Sequence, residues 1–260
     1  MELLHKDQLQ VYIADTRSEM GKVAAEDVAA YIRESLLTRD ELNIVFAAAP
    51  SQNEFLTSLK EEEVEWTRIN AFHMDEYMGL SPEAPQRFGN FLRARIFDKV
   101  PFKSVHYLSG DGKKPQSVCD AYAALLKRFP TDIVLMGIGE NGHIAFNDPH
   151  VALFDDPEMV KVVELDEACR YQQVHDKCFA SLGDVPQKAY TLTIPVLMAA
   201  KRIFCMVPAS SKAEAIRQTI MGEVTERCPA SILRKHEAAT LYCDKESARY
   251  LVLNTIMEEV

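Results

Sequence analysis

Short apolar runs alternate with longer amphipathic stretches along almost the whole chain, and this rhythm constrains the fold more than any other feature. Residues 11–14, 43–49, 67–74, 132–137, 160–165, 190–194, 202–207 and 239–243 are brief and apolar, and read as strands. Residues 17–38 carry Met20, Val23, Ala24, Val28, Ala29, Ile32 and Leu36 at spacings of three and four, which marks an amphipathic helix. A stretch opening at Ser51, residues 86–98, 115–128 and 211–221, a short segment after Pro229, and residues 244–257 complete the helical set. Parallel neighbours need a crossover, usually a helix. The alternation therefore predicts an α/β fold: a mainly parallel, twisted sheet with helices on both faces, an open three-layer α/β/α arrangement of Rossmann-like type. No repeat, low-complexity tract or linker interrupts it, so residues 1–260 are expected to form a single domain. The least regular part, 150–190, is expected to form a lid or an excursion.

In a parallel sheet, loops leaving the carboxyl ends of strands lie on one edge, where open α/β sheets bind their ligands. Four such loops carry polar chemistry. The first is Ala47-Ala48-Ala49-Pro50-Ser51-Gln52-Asn53-Glu54. Its small residues let the backbone approach a ligand, and Ser51 and Gln52 stand where free helix amides would meet an anion. Ser51-x-x-Glu54 also fits a capping box, so Ser51 either caps its own helix or faces a phosphate. The second loop, Phe72-His73-Met74-Asp75-Glu76-Tyr77-Met78-Gly79, puts two carboxylates beside apolar neighbours. Desolvation would raise a carboxyl pKa there and suit Asp75 to proton abstraction. The alternative is that Asp75 caps a turn and Glu76 is solvated.

The third loop is Gly137-Ile138-Gly139-Glu140-Asn141-Gly142-His143-Ile144-Ala145-Phe146-Asn147-Asp148-Pro149. His143 can give and take protons near neutral pH, with Glu140 or Asp148 to orient its ring; the alternative is a structural histidine. The fourth, Pro208-Ala209-Ser210-Ser211-Lys212-Ala213-Glu214, repeats the capping-box spacing at Ser211-x-x-Glu214. Lys212 opposes the helix dipole there, a conflict that a bound phosphate would offset; otherwise it is a surface lysine. His5, His73, His106, His150, His175 and His236 give no functional reading. No histidine pair has metal-ligand spacing on a helix face, so no metal is expected.

Composition narrows the partners. A net charge of −10 argues against nucleic acid, which needs a basic face, yet local cations and helix N-termini can still hold a small anion. The six cysteines form no C-x-x-C pair, and scattered thiols fit a reducing cytosol. Neither a signal-like apolar core nor a membrane-length run is present, which predicts a cytoplasmic protein without a membrane partner.

At these loops the chain resembles the glucosamine-6-phosphate deaminase family, whose wider superfamily includes 6-phosphogluconolactonase. Residues 72–80 are similar to the family's F-x-M-D-E-Y-x-G-L, and residues 137–147 to its G-x-G-x-x-G-H-I-A-F-N. The match is spread over nearly the whole length, and the first motif separates deaminases from lactonases. The resemblance implies a cofactor-free reaction in amino-sugar catabolism and N-acetylglucosamine utilisation: glucosamine 6-phosphate and water give fructose 6-phosphate and ammonia. It implies that Asp75 moves a proton between C2 and C1, that His143 assists ring opening, and that Ser51, Arg170 and Lys212 hold the phosphate. Three residues depart from the family pattern. Pro50 removes an amide from a loop that is often rich in glycine and threonine. Asn141 stands where some members have aspartate, and Asp148 where many have glutamate, one methylene longer. A His143–Asp148 pairing is expected, with Asn141 able to orient the ring but not to carry charge. Activated members bind N-acetylglucosamine 6-phosphate through a serine and basic residues after the histidine motif; residues 150–158 contain no arginine or lysine, so no such activation is expected. The resemblance leaves open a homo-oligomer, a galactosamine 6-phosphate substrate and lactone hydrolysis. A sugar-phosphate-sensing binding domain is the non-enzymatic alternative, disfavoured by the lack of a basic recognition helix.

Overall fold

The computed structural model describes residues 2–110 and 112–251. In chain order the elements are β1 (Glu2–Lys6), β2 (Leu9–Ala14), α1 (Arg17–Leu36), β3 (Leu42–Phe46), α2 (Asn53–Leu59), β4 (Ile69–His73), β5 (Asp75–Tyr77), α3 (Phe88–Leu92), β6 (Ser104–His106), α4 (Pro115–Arg128), β7 (Ile133–Met136), β8 (Val160–Glu164), α5 (Glu167–His175), β9 (Lys188–Leu192), α6 (Ile194–Met198), β10 (Arg202–Val207), α7 (Ala213–Met221) and β11 (Ala239–Asp244). Eight strands form one sheet in the order β1-β2-β11-β10-β7-β3-β4-β6. Every neighbouring pair is parallel except β1 with β2.

Strand side chains alternate between two apolar layers, as the pleat requires. In β3, Ile44 and Phe46 join one layer and Val45 the other; in β7, Ile133 and Leu135 oppose Val134 and Met136. Helices α1 and α2 cover one face, and α4 and α7 the other. Burial on both faces explains why these strands read as continuous apolar runs. Thr16 starts α1 by accepting from the Glu19 amide at 3.1 Å. No helix among the described residues is long and apolar enough to cross a membrane.

The chain proceeds from β3 outward through β4 to β6, then returns to place β7 on the other side of β3 and continues through β10 to β11. The β3/β7 boundary is therefore a topological switch point, where the loops beyond the carboxyl ends diverge and leave a crevice.

Several expectations are corrected. Residues 160–165 and 190–194 do not extend the parallel sheet: β8 and β9 pair antiparallel in a separate sheet of order β5-β9-β8. From Lys161 to Glu164 the exposed Val162 and Glu164 alternate with less exposed neighbours in β8, the pattern of a sheet with one wet face. The excursion at 150–190 thus consists largely of this sheet and α5. The acidic second loop is itself a strand, β5. Neither capping box forms. Ser51 and Ser211 lie inside short 3-10 turns, Pro50–Gln52 and Ser210–Lys212, that make no side-chain cap. Glu54 instead pairs with Arg17, and Glu214 with Arg217. Asp244 ends β11, residues 245–250 form turns rather than the start of a helix, and residues 252–257 of the expected 244–257 helix lie outside the described residues.

Candidate active site

Four loops meet in one cleft at the switch point. It holds about 740 Å³ of free space, part of it open to solvent, and is lined by Ser51, Gln52, Asp75, His143 and Lys212 among others. Met74, Phe88, Ile138, Ala145 and Phe146 supply apolar wall.

Asp75 enters from β5, whose register sets it opposite Thr191 of β9. It is buried, and its Oδ1 has no hydrogen-bond partner. Burial, reinforced by repulsion from Glu76, pushes its pKa well above the usual carboxylate range. Glu76 is not solvated. Its carboxylate accepts from the amides of Tyr77 at 2.9 Å and of Phe88 and Gly89 at 3.0 Å each, tying β5 to the start of α3. His73, which carried no functional reading in the sequence, anchors Asp75 from behind. Its Nε2 accepts from the Leu108 amide at 2.9 Å, which leaves Nδ1–H to donate to the Asp75 carbonyl at 2.9 Å. Burial keeps this ring neutral, with a pKa lowered to about 4.

His143 follows Gly142, whose φ of +83° favours glycine. A Cβ at Gly139 would lie 2.1 Å from the imidazole, so glycine there gives the ring its bed. His143 Nδ1 faces Asn141 Oδ1 at 2.7 Å and Asp148 Oδ1 at 3.0 Å. Two acceptors assign the proton to Nδ1 and leave the Nε2 lone pair for chemistry. Asn141 Nδ2 donates to Asp148 Oδ1 at 3.0 Å and to Asp166 Oδ2 at 3.1 Å, and Asp148 Oδ2 accepts from the Asp166 amide at 3.3 Å. Burial works to raise Asp148, but His143, Asn141 and the Asp166 amide outweigh it and hold the carboxyl below its ordinary value. The shorter aspartate therefore still reaches the ring. Cys169 is buried against the same carboxylate, and its thiol is pushed well up, first by burial and then by Asp148 and Asp166. His143, Asp148 and Cys169 offer ligand atoms within 4.8 Å of one another, as do Asp148, His150 and Asp166; these are the residues that could hold a cation.

On the opposite side, Lys212 is 4% exposed. Its ammonium has no hydrogen bond or ion pair among the described residues, and burial lowers its pKa against the pull of Asp176 and Glu140. An unpaired ammonium that has lost most of its water gains when an anion joins it in the cleft. The same loop is strained at Ala209. Ala209 has φ 84° and ψ 149°, a region occupied almost only by glycine, and both carboxylate oxygens of Asp244 hold its amide at 3.2 Å.

Of the phosphate candidates, Arg170 lies away from the cleft, and Gln52 lines it with its side-chain amide otherwise engaged. The Arg170 guanidinium turns to the carbonyls of Leu182 at 2.7 Å and Val185 at 3.0 Å, and Arg170 does not line the cleft. Helix α5 sends Gln172, Gln173 and Asp176 to the cleft instead. The Gln52 side chain borders the cleft, but its amide is committed to the carbonyls of Met136 at 3.4 Å and Met206 at 3.2 Å and to Ser51 Oγ at 3.2 Å. It clasps the ends of β7 and β10. Sequence reading also passed over Arg17, a cation in the first turn of α1 that lines the cleft. The signal was there: like Lys212, it opposes its helix dipole.

An open α/β sheet with a raised carboxyl, an oriented imidazole and a buried ammonium around one switch-point cleft defines a class: proteins that bind a small anionic molecule and can move its protons. Comparison with known proteins narrows the class. The model of the family described as glucosamine-6-phosphate isomerases/6-phosphogluconolactonase matches residues 15–242, and the chain belongs to that family. A glucosamine-6-phosphate deaminase of an Exiguobacterium species is 32% identical over 92% of this chain and 91% of its own length. One from Lactobacillus delbrueckii subsp. bulgaricus is also 32% identical, over 94% and 100%. Among solved structures, a monomeric glucosamine-6-phosphate deaminase superposes with a TM-score of 0.84 at 30% identity, covering 93% of this chain and 99% of that one. A 6-phosphogluconolactonase from Thermotoga maritima, 18% identical, shares the fold with a TM-score of 0.74 over 90% and 99%.

Proposed function

We propose that this protein deaminates glucosamine 6-phosphate to fructose 6-phosphate and ammonia, as a step in amino-sugar catabolism. The observation that carries the reading is the buried, unpartnered Asp75 carboxyl on the same cleft as His143 and Lys212. In this reading the phosphate settles on Ser51 and Lys212. His143 Nε2 relays the proton between the C1 hydroxyl and the ring oxygen, so that the C1–O5 bond breaks and the aldehyde forms. Asp75 takes the C2 proton and returns it to C1 while O1 takes the proton given up by the C2 ammonium, which leaves a C1 hydroxyl and a C2 iminium. Water adds to C2 and ammonia departs, so hydrolysis completes an internal oxidation–reduction with no cofactor. A raised carboxyl suits the C2 step, because a stronger base removes a carbon-bound proton more readily. Lactone hydrolysis needs the imidazole but no C2 base, so the motif around Asp75 supports the deaminase over that alternative.

A coupled assay for ammonia and ketose phosphate tests this with glucosamine 6-phosphate, galactosamine 6-phosphate and 6-phosphogluconolactone. Ammonia release from glucosamine 6-phosphate is the expected result; turnover of the lactone alone would overturn it. The same assay reads the imidazole relay. Asp148→Asn removes the charge beside Nδ1 and offers a donor where an acceptor stood, which favours the wrong tautomer. Turnover should fall by roughly 10²–10⁴-fold, and an unchanged rate would disconnect Asp148 from ring opening.

A further inference from the structure

Lys212 and Arg17 are the cations that line the cleft among its described residues. A phosphate monoester carries about −1.5 to −2 charge near neutral pH, and the Asp176 carboxylate lines the same cleft. One ammonium leaves much of that anion uncompensated. The arginine that the family resemblance suggested for the task, Arg170, turns its Nη2 to two backbone carbonyls and does not line the cleft.

Arg17 is placed to fill the gap. Its Nη2 donates to the Pro50 carbonyl at 2.5 Å, which sets the guanidinium directly over the loop that presents Ser51. Its Nε lies 2.7 Å from Glu54 Oε1 as an ion pair without an aligned hydrogen bond. Those two contacts fix the plane of the group while leaving N–H donors of the five-donor fork unspent. The side chain is about one-third exposed, at 35%, as expected for a group at the mouth of a cleft. The planar fork suits a phosphate's paired oxygens better than an ammonium does.

We infer that Arg17 is a substrate-binding residue, the second cation of the phosphate cradle, held in place by Pro50 and Glu54. This rests on the sugar-phosphate reading above but can be tested apart from it. Inorganic phosphate binding should be measured by calorimetry on the wild type, Arg17→Ala, Arg17→Lys and Arg170→Gln, alongside KM and kcat for glucosamine 6-phosphate and a melting curve for each protein. Arg17→Ala should weaken phosphate binding and raise KM by about 10- to 100-fold, with kcat within about threefold because the group is remote from C1 and C2. Arg17→Lys should recover part of the loss. Arg170→Gln should keep phosphate affinity and KM near wild type even if its melting temperature falls. Wild-type affinity in a folded Arg17→Ala protein would overturn the proposal, as would a loss in Arg170→Gln equal to that in Arg17→Ala. If the wild type binds phosphate through Arg17 yet releases no ammonia, the deaminase reading fails and the assignment of Arg17 stands.

Discussion

Asp75→Asn should abolish turnover and, at neutral pH, yield a more stable protein. The loss of activity is expected to be at least about 10²-fold, the scale of a missing general base. The gain in stability follows from linkage. The folded-state pKa of Asp75 lies well above its ordinary value. Between the unfolded value of about 3.9 and the raised folded one, the folded state holds more protons than the unfolded state. Stability is therefore greatest below the unfolded value and declines as pH rises through the folded value. Asparagine deletes that decline. Removing a buried group that lacks a partner is worth on the order of 1–3 kcal/mol, a rise of several degrees in Tm. Melting curves of both proteins across pH check the sign: they should converge near pH 4 and separate above it. A variant less stable than wild type at pH 7 would show that the carboxylate is satisfied after all.

Lys212→Met should have an effect of similar size, and again in opposite directions on binding and stability. Truncating one partner of a buried charge pair costs about 2–5 kcal/mol, so KM for glucosamine 6-phosphate should rise by more than roughly 25-fold. Free of ligand, however, the ammonium is a liability. Burial lowers its pKa, so the folded state binds fewer protons than the unfolded state between the depressed folded value and the ordinary one. The penalty is full below that window and fades as pH rises through it. Methionine keeps the stem and removes the charge, so the unliganded variant should melt higher than wild type. Phosphate should then raise the wild-type Tm and leave the variant's nearly unmoved. An equal ligand-induced shift in both would place the phosphate elsewhere.

Much of this arrangement was legible in the residues. The β3, β7 and β10 runs are apolar on both faces because helices cover both, and the His143 loop declares itself by glycines that make room for a ring. The parts that escaped reading depend on partners distant in sequence. Glu76 reads as a solvated acid until the Phe88 and Gly89 amides are seen to converge on it. Ser51-x-x-Glu54 matches a local capping pattern, yet Glu54 is drawn off by Arg17, which lies 37 residues earlier. Arg170 and Gln173 differ by three positions on α5, and which of them meets the cleft is set by how that short helix docks. β8 and β9 have strand-like sequences, but nothing local specifies that they form their own sheet.

That second sheet gives the site two foundations. The chain crosses between them at Met74, whose amide donates to Phe46 in the large sheet at 3.2 Å and whose carbonyl accepts from Leu192 in the small one at 2.8 Å. The anion loops and the imidazole loop are rooted in the first foundation, and the Asp75 base in the second. Changes in β9, which pairs with β5, can therefore reposition the base against C1 and C2 while the loops of Ser51 and Lys212 keep their footing in the large sheet. A fold divided in this way can acquire a new sugar, or a new fate for the same sugar, by adjusting one module at a time.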